Sequence, residues 1–158
     1  MNNMILTERL LLREIAENDA ELIVKWRSNP DEYQFFKNPH AIDLNDHLYW
    51  YNNIYSNNPN MINWIGFREK LPVGIFGIRL VDSYEAEMSY LVDKEFRNKG
   101  LAKEAVNAII QWTKEKFKLN IITAEIHYQN IASIGLIESL GFKVEEMQDL
   151  FIKYGLKL

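Results

Sequence analysis

The sequence contains no cysteine, so no thiol of this chain can carry an acyl group during a reaction. It has no apolar run of roughly 18 residues and no signal-peptide pattern, so we expect a cytoplasmic protein without a membrane partner. Long basic runs are absent as well, and the formal net charge is −4, which argues against nucleic acid as a partner.

What is present suits one globular domain over residues 1–158, because 47% of the residues are hydrophobic. Periodicity predicts an α+β chain of order β-α-α-β-β-β-α-β-α-β-β. We expect a mixed, mostly antiparallel sheet in which one crossover helix joins two parallel strands, 84–92 and 121–126. The remaining predicted strands cover 5–15, 61–67, 73–81, 142–147 and 150–156, and the predicted helices cover 20–27, 44–55, 100–117 and a segment opening at Asn130 and stopped by Gly141.

Several end signals set the predicted helix bounds. Asn18 or Asp19 is expected to cap the first helix, and the segment ending at Pro30 to stop it. Asp43 is expected to cap the second helix.

One stretch combines a strand, a tight basic turn and a helix. Residues 86–92 suit a buried strand, and from Lys99 the apolar residues follow helical spacing. A strand that turns sharply into a helix leaves backbone N–H groups unpaired at the positive end of the helix. Arg97 and Lys99 add positive charge there, and Gly100 permits close approach of a ligand. The turn therefore predicts a phosphate or pyrophosphate site, although a solvated turn fits the fragment as well.

The amino-acid sequence of the turn does not match two common phosphate-binding motifs. A P-loop needs a second glycine and a Ser or Thr after Gly-Lys, and a dinucleotide fingerprint needs three glycines. The six residues 97–102, RNKGLA, instead match the pattern [QR]-x-x-G-x-[GA]. With AEMSY at 86–90 before it, this segment resembles the acetyl-CoA pyrophosphate loop of the GCN5-related N-acetyltransferases.

Two further segments strengthen the resemblance, and the element order agrees with it. Residues 130–142 are similar to the N-x-x-S-x-x-x-x-E-x-x-G-F segment of the branch that includes the ribosomal-protein N-terminal acetyltransferases, and TERLLLR at 7–13 resembles that branch too. The resemblance implies the GNAT fold, with helices on both faces of the sheet and the parallel pair splayed around acetyl-CoA. It implies acetyl-CoA as cosubstrate and no metal.

The resemblance also implies cofactor-binding residues. Main-chain groups at the end of the strand hold pantetheine, the amides of the turn hold pyrophosphate, and Asn130 touches the pantetheine arm, unless it serves only as a helix cap. The implied cofactor-binding residues are Leu91, Val92, Arg97, Asn98, Lys99, Gly100, Leu101, Ala102 and Asn130.

The catalytic candidates follow from what amine acetylation needs. Glu87 is the first candidate for the base, because it lies in a half-buried strand at the family's A-E-[IL]-G-Y position. A solvated acidic face or His127 as the base stays open. Many family members place a tyrosine four residues before Gly-Phe to protonate the thiolate, but this chain has Ile137 there. Tyr128, Ser133 or water remain as the proton source.

The acceptor site is expected in residues 26–51, with Trp26, Arg27, His47 and Trp50 as substrate-binding candidates. This segment resembles the branch that acetylates amino sugars on nucleotide carriers, as in the pseudaminic-acid pathway. Arg27 and His47 suit a phosphate, and Trp50 or Phe36 suits a ring, but core packing or surface positions explain these residues too.

We therefore expect direct acetyl transfer, by a monomer or homodimer, to a small amine such as an amino sugar. The alternatives are a polyamine, an antibiotic or a peptide N-terminus as the acceptor, or a non-catalytic coenzyme-A-binding module.

Overall fold

A computed structural model of the chain describes residues 3–158, and within them eight strands form one sheet of order β1-β2-β3-β4-β5-β6-β8-β7. The strands are β1 (Ile5–Leu6), β2 (Leu11–Glu14), β3 (Met61–Arg68), β4 (Leu71–Leu80), β5 (Glu85–Val92), β6 (Ile121–His127), β7 (Lys143–Gln148) and β8 (Phe151–Lys157). The helices are α1 (Ala20–Arg27), α2 (Pro30–Tyr33), α3 (Leu44–Trp50), α4 (Leu101–Lys116) and α5 (Ile131–Ser139). These elements confirm the predicted α+β class.

Strands β5 and β6 are parallel, and the other strand pairs of the described residues are antiparallel. The crossover between them is α4, as predicted, because a parallel neighbour cannot be reached through a tight turn. Helix α4 buries one stripe of side chains, among them Leu101, Ala105 and Ile109, against the sheet. The parallel pair therefore lies in the middle of the sheet with its connecting helix packed on one face.

Helices cover both faces of the sheet, because successive side chains of a strand point to opposite faces. Ile65, Ile75 and Leu91 are cross-strand neighbours and pack with Ile23 and Trp26 of α1. The alternate positions, Trp64, Phe76 and Met88, belong to the core cluster that includes α4. Glu87 and Ser89 consequently share the face of Leu91, which is the face covered by α1 and α3.

The predicted single strand over 5–15 is wrong. A turn from Thr7 to Leu10 divides it into β1 and β2, which pair with each other as a hairpin. The Thr7 hydroxyl accepts a hydrogen bond from the Leu10 N–H at 2.9 Å and takes the place of a backbone partner in that turn. The turn contains neither glycine nor proline, so periodicity alone did not mark the break.

The structure differs from the predicted cap of α1 and from the predicted role of Pro30. Asp19 makes no capping bond to α1; its carboxylate instead accepts from Arg13 and from the Ala16 N–H. Pro30 does more than stop α1, because it opens the short helix α2, which Asn29 caps.

The second predicted helix has an irregular end. Asp43 caps it as predicted, but after Trp50 the chain continues as a π-helical turn over Tyr51–Tyr55. Among residues 3–158, no helix is long and apolar enough to cross a membrane.

Candidate active site

The parallel strands β5 and β6 separate partway along their length. Their pairing ends at Glu87 and Thr123, whereas β5 stays paired with β4 as far as Val92 and β6 stays paired with β8 as far as His127. A cleft of about 710 Å³, called here the large cleft, opens where the strands diverge. Backbone groups on the open side of β5 therefore lose their strand partner and become available to a ligand.

The turn that follows β5 forms one end of the large cleft. Gly100 has φ = 76°, a left-handed conformation that glycine adopts without strain, and Asn98 has φ = 60°. Helix α4 begins at the next residue, so the N–H groups of its first turn have no helical acceptor. The Arg97 Nε donates to the Val92 carbonyl at 3.0 Å and holds the turn against the end of β5. This geometry is that of an anion site at a helix N-terminus.

All predicted cofactor residues except Lys99 line the large cleft. The Lys99 side chain is exposed, and its carbonyl accepts a hydrogen bond from Arg9 on the side away from the cleft. Asn130 lines the cleft and also caps α5, because its Oδ1 accepts from the Ser133 N–H at 3.4 Å. The predicted residues that line the cleft are Leu91, Val92, Arg97, Asn98, Gly100, Leu101, Ala102 and Asn130.

A second cavity, of about 410 Å³, lies between α1, α3 and the sheet and is called here the small cavity. It is lined by apolar residues such as Ile23, Met61 and Trp50 and by a similar number of polar and charged ones. The two cavities meet, because Arg27, Asn63, Ile75, Glu87 and Ser89 line both of them. A ligand in the small cavity can therefore reach a ligand in the large cleft.

Glu87 lies at the junction of the two cavities. Its carboxylate is half-buried and forms an ion pair of 3.4 Å with Arg79, its cross-strand neighbour on β4. Glu85 shares this face of β5, but it contacts Lys153 and Thr123 and lines neither cavity. The sequence predicts that Glu85 and Glu87 share one face of β5. In the structure they differ in environment, because only Glu87 lines the cavities.

Arg27, at the end of α1, lines both cavities without a protein partner. Among residues 3–158, no side chain or carbonyl forms an ion pair or hydrogen bond with its guanidinium, and burial lowers the pKa of this group. A cation held in a pocket without a counterion is costly. The site therefore favours a ligand that brings negative charge.

His47 lines the small cavity on α3 and is 6% exposed. Its Nε2 is buried and has no hydrogen-bond partner among the described residues. Burial lowers the pKa of His47, and the charge of Arg27 lowers it further, so the imidazole is neutral at physiological pH. Arg27 therefore presents unused hydrogen-bonding capacity to the cavity, whereas the His47 Nε2 is covered by protein atoms.

The two candidate tryptophans have different roles in the structure. Trp50 lines the small cavity and stacks on Tyr55 with 5.1 Å between ring centroids. Trp26 is 5% exposed, lines neither cavity, and donates from its indole nitrogen to Asp93 at 2.9 Å. The structure does not support Trp26 as a substrate-binding residue, because it is a packing residue that ties α1 to the end of β5.

The proton-donor candidates are also separated by position. Ser133 lines the large cleft, but Tyr128 is 41% exposed, lines neither cavity and stacks on His127. The structure therefore does not support Tyr128 as the acid, because the chain turns outward after β6 ends. Ile137, at the family's tyrosine position, is fully buried in the core.

Tyr90 is a cleft residue that the sequence analysis overlooked. Its phenol lines the large cleft and donates to the Ser133 carbonyl at 3.3 Å, and burial raises its pKa to about 12. It is the last residue of the AEMSY segment. Because side chains alternate along a strand, Tyr90 lies on the opposite face of β5 from Glu87, so it was not grouped with that candidate.

The segment after α1 also borders the large cleft, which only the fold reveals. Glu32 pairs with Arg97 beyond the end of β5, and Lys37 pairs with Glu125 on β6. These two ion pairs tie one segment to both sides of the splayed strands. They join residues far apart in sequence, so no local pattern predicted them.

Comparison with known proteins identifies the class. The family model described as the acetyltransferase (GNAT) domain matches residues 9–143. This chain belongs to the GNAT family of acetyltransferases, which use acetyl-CoA as the acetyl donor. The predicted family, fold and N-acetyltransferase class are confirmed.

The chain is similar to several proteins of this kind. It is 32% identical over 143 residues to an uncharacterised protein of Methanocaldococcus jannaschii, covering 85% of this chain but only 28% of that protein. It is 24% identical over 139 residues to the acetyltransferase PseH of Campylobacter jejuni, covering 87% of this chain and 86% of that one. RimL, a ribosomal L7/L12 alpha-N-protein acetyltransferase solved with coenzyme A, superposes with a TM-score of 0.85 at 14% identity, covering 99% and 98% of the two chains. The last similarity shows the fold alone.

Proposed function

We propose that the enzyme transfers an acetyl group directly from acetyl-CoA to the primary amine of a small, negatively charged acceptor. A nucleotide-linked amino sugar is the acceptor class that fits best. The observation that carries the proposal is the unpaired guanidinium of Arg27 in a cavity that meets the large cleft.

Direct transfer is supported by the absence of a thiol that could carry the acetyl group and by the geometry of the cavities. The chain has no cysteine. The two cavities meet at Glu87 and Ser89, so an amine in one and a thioester in the other are brought together without a covalent enzyme intermediate. Holding both reactants in one geometry supplies much of the rate gain of such a reaction.

Acetyl-CoA would occupy the large cleft. The amides of residues 97–102 and the N-terminus of α4 would bind the pyrophosphate, with Arg97 adding charge. Backbone groups of Leu91 and Val92, other than the Val92 carbonyl that accepts from Arg97, would hold the pantetheine arm in place of a strand, and Asn130 borders the same path.

The acceptor would occupy the small cavity, whose volume suits a small molecule. A phosphate beside Arg27 would form charge-assisted hydrogen bonds that are bidentate in a favourable pose, and it would remove the cost of an unpaired cation. His47 borders the same cavity, and Trp50, which also lines it, would contact a base or sugar ring.

Glu87 would act as the base, directly or through a water, because it lies where the cavities meet. The amine nitrogen attacks the thioester carbonyl, the C–S bond breaks as the tetrahedral intermediate collapses, and the amine proton passes to Glu87. Coenzyme A leaves as a thiolate that the Ser133 hydroxyl can stabilise by a hydrogen bond before a proton arrives from water. With a pKa of about 12, Tyr90 serves as a hydrogen-bond donor rather than an acid.

A peptide N-terminus is the second acceptor class, because the structurally similar RimL is a ribosomal L7/L12 alpha-N-protein acetyltransferase. Asp46 at the exposed rim of the small cavity would suit a cationic amine. Arg27, however, is deeper and unpaired, and it would repel the protonated fraction of such an amine. The charge distribution therefore favours the anionic acceptor.

A panel of amines tests the proposal through thiol release from acetyl-CoA. Nucleotide amino sugars should be acetylated with a higher kcat/KM than the same sugars without the nucleotide, short peptides or polyamines. Activity confined to peptides or polyamines would contradict the proposed acceptor, and no activity with any primary amine would contradict the amine acceptor itself.

A further inference from the structure

The turn between β1 and β2 lies directly behind the proposed pyrophosphate loop, although 90 positions of sequence separate Arg9 from Lys99. The Arg9 guanidinium donates from Nη1 to the Lys99 carbonyl at 2.8 Å and from Nε to the Glu104 carboxylate at 2.7 Å. A single side chain thus connects the loop to the first turn of α4.

Glu104 is the anchor of this arrangement. Its carboxylate is 17% exposed and accepts from the Thr7 hydroxyl at 2.5 Å, from the Arg9 backbone N–H at 2.8 Å and from Arg9 Nε. Desolvation raises the pKa of Glu104, but the hydrogen bonds from Thr7 and Arg9 outweigh it, and the net pKa is lowered. The carboxylate therefore stays charged at physiological pH and holds Arg9 in one position.

The bond from Arg9 orients one peptide group of the loop. The Lys99 carbonyl and the Gly100 N–H belong to the same planar trans peptide, so they point in opposite directions. Because the carbonyl faces Arg9, the Gly100 N–H faces away from it. Gly100 lines the large cleft, whereas Arg9 and Glu104 line neither cavity. Arg9 therefore contacts the loop from outside the large cleft.

We propose that Arg9 is a positioning residue for acetyl-CoA. Held by Glu104 and Thr7, it fixes the Lys99–Gly100 peptide so that the Gly100 amide is directed to the pyrophosphate. The inference rests on the proposed pyrophosphate role of residues 97–102, and it gives the opening segment at 7–13 a physical task.

The first test compares two arginines of the same hairpin. Arg9→Lys keeps the charge but loses the planar fork that reaches two acceptors at once. We expect the KM for acetyl-CoA to rise about tenfold, with kcat at saturating acetyl-CoA unchanged, because Arg9 does not touch the reactants. Arg13→Lys is the matched control, since Arg13 pairs with Asp19 and lines neither cavity. Its KM should equal that of the wild type.

A truncated donor localises the effect. S-Acetylpantetheine has the thioester and the pantetheine arm but no pyrophosphate, so its KM should be the same in the wild type and in Arg9→Lys. A general loosening of the fold would instead raise the KM for both donors. An equal rise for both donors, or a KM for acetyl-CoA equal to that of Arg13→Lys, would overturn the inference.

Two further variants keep the test decisive if Arg9→Lys does not fold. Glu104→Gln removes the charge that holds Arg9 and should raise the KM for acetyl-CoA but not for S-acetylpantetheine. Gly100→Asp tests the loop itself. If Gly100→Asp abolishes acetyl-CoA binding while Glu104→Gln behaves as the wild type, only the inference about Arg9 fails. If Gly100→Asp binds acetyl-CoA normally, the loop assignment fails, and the Arg9 inference fails with it.

Discussion

The large cleft and the small cavity meet at Glu87, but they are built from different parts of the chain. The large cleft uses backbone groups at the end of β5 and the start of α4, which are close in sequence. The small cavity uses side chains that come from α1, α3 and several strands. A backbone site suits a donor that every reaction of the family shares, whereas a side-chain site sets which acceptor is bound. Changes in the two regions should therefore alter different kinetic constants.

The largest effect is expected where the regions meet. Glu87→Gln should lower kcat by about 10²–10⁴-fold with little change in acetyl-CoA affinity, because a general base is lost and the donor site is not. The loss should shrink as the pH rises, since more of the amine is then neutral without help. Steady-state kinetics from pH 6 to about 9 checks both statements.

The matched control is Glu85→Gln. Glu85 lies on the same face of β5, also pairs with a cation, and lines neither cavity, so its kcat should stay near that of the wild type. If the two variants are equally active at pH 7, Glu87 is a structural partner of Arg79 and not the base.

The next effect concerns the large cleft alone. Gly100→Asp puts a side chain at φ = 76°, with its Cβ 3.3 Å from the Arg9 guanidinium, so the loop must shift and the stabilisation of the protein by acetyl-CoA should disappear. Thermal melting with and without acetyl-CoA measures this directly. A folded Gly100→Asp protein whose Tm rises as in the wild type would place the pyrophosphate elsewhere.

A smaller effect is expected from the phenol in the same cleft. Tyr90→Phe removes the hydrogen bond that holds the Ser133 carbonyl, so Ser133 should be placed less firmly and kcat should fall about fivefold, in line with ~1 kcal/mol for one hydrogen bond. Single-turnover kinetics would show the change in the chemical step. A decrease of a hundredfold would instead mean that Tyr90 is the acid, in conflict with its raised pKa.

The smallest effect is on stability and concerns the small cavity. The folded protein holds His47 neutral, with its pKa below the ordinary value of 6.5, because of burial and the charge of Arg27. The unfolded chain therefore binds the proton more readily, so the stability that neutral His47 permits is complete above pH 6.5 and falls as the pH drops below it. The decrease in Tm between pH 7 and about 5 should be smaller in His47→Gln than in the wild type.

His40→Gln is the control for this measurement, because His40 is exposed. It should show the same decrease in Tm as the wild type. If both histidine variants follow the wild type, the buried imidazole of His47 does not carry the acid sensitivity.

The large cleft was largely predictable from the sequence because its parts are local. The strand, the left-handed Gly100 and the helix start follow one another within residues 86–105, and each has its own signal. The exception is Lys99, which does not line the large cleft and whose carbonyl accepts a hydrogen bond from Arg9. That orientation depends on a residue 90 positions away, and no local pattern contains it.

The small cavity was predicted only as a region. Arg27 and His47 were candidates, but the missing counterion of one and the missing partner of the other depend on everything packed around them. The sequence pattern could not assign Trp26, because its place in the apolar stripe of α1 fits packing and substrate binding equally. Its bond to Asp93, which favours packing, is visible only in the structure. Tyr128 directly follows the last residue of β6, and its side chain is exposed and lies outside both cavities. Neighbouring residues at the end of a strand can face opposite ways, and the sequence does not show where the strand ends.

The central claim is that the small cavity binds an anionic acceptor through Arg27, and the acceptor KM of Arg27→Ala tests it most directly. With a nucleotide amino sugar, the account predicts a rise of roughly tenfold or more, equivalent to losing ~1.5–3 kcal/mol of charged hydrogen bonding, and Arg27→Lys should restore only part of it. A KM that is unchanged or lower in Arg27→Ala would contradict the claim.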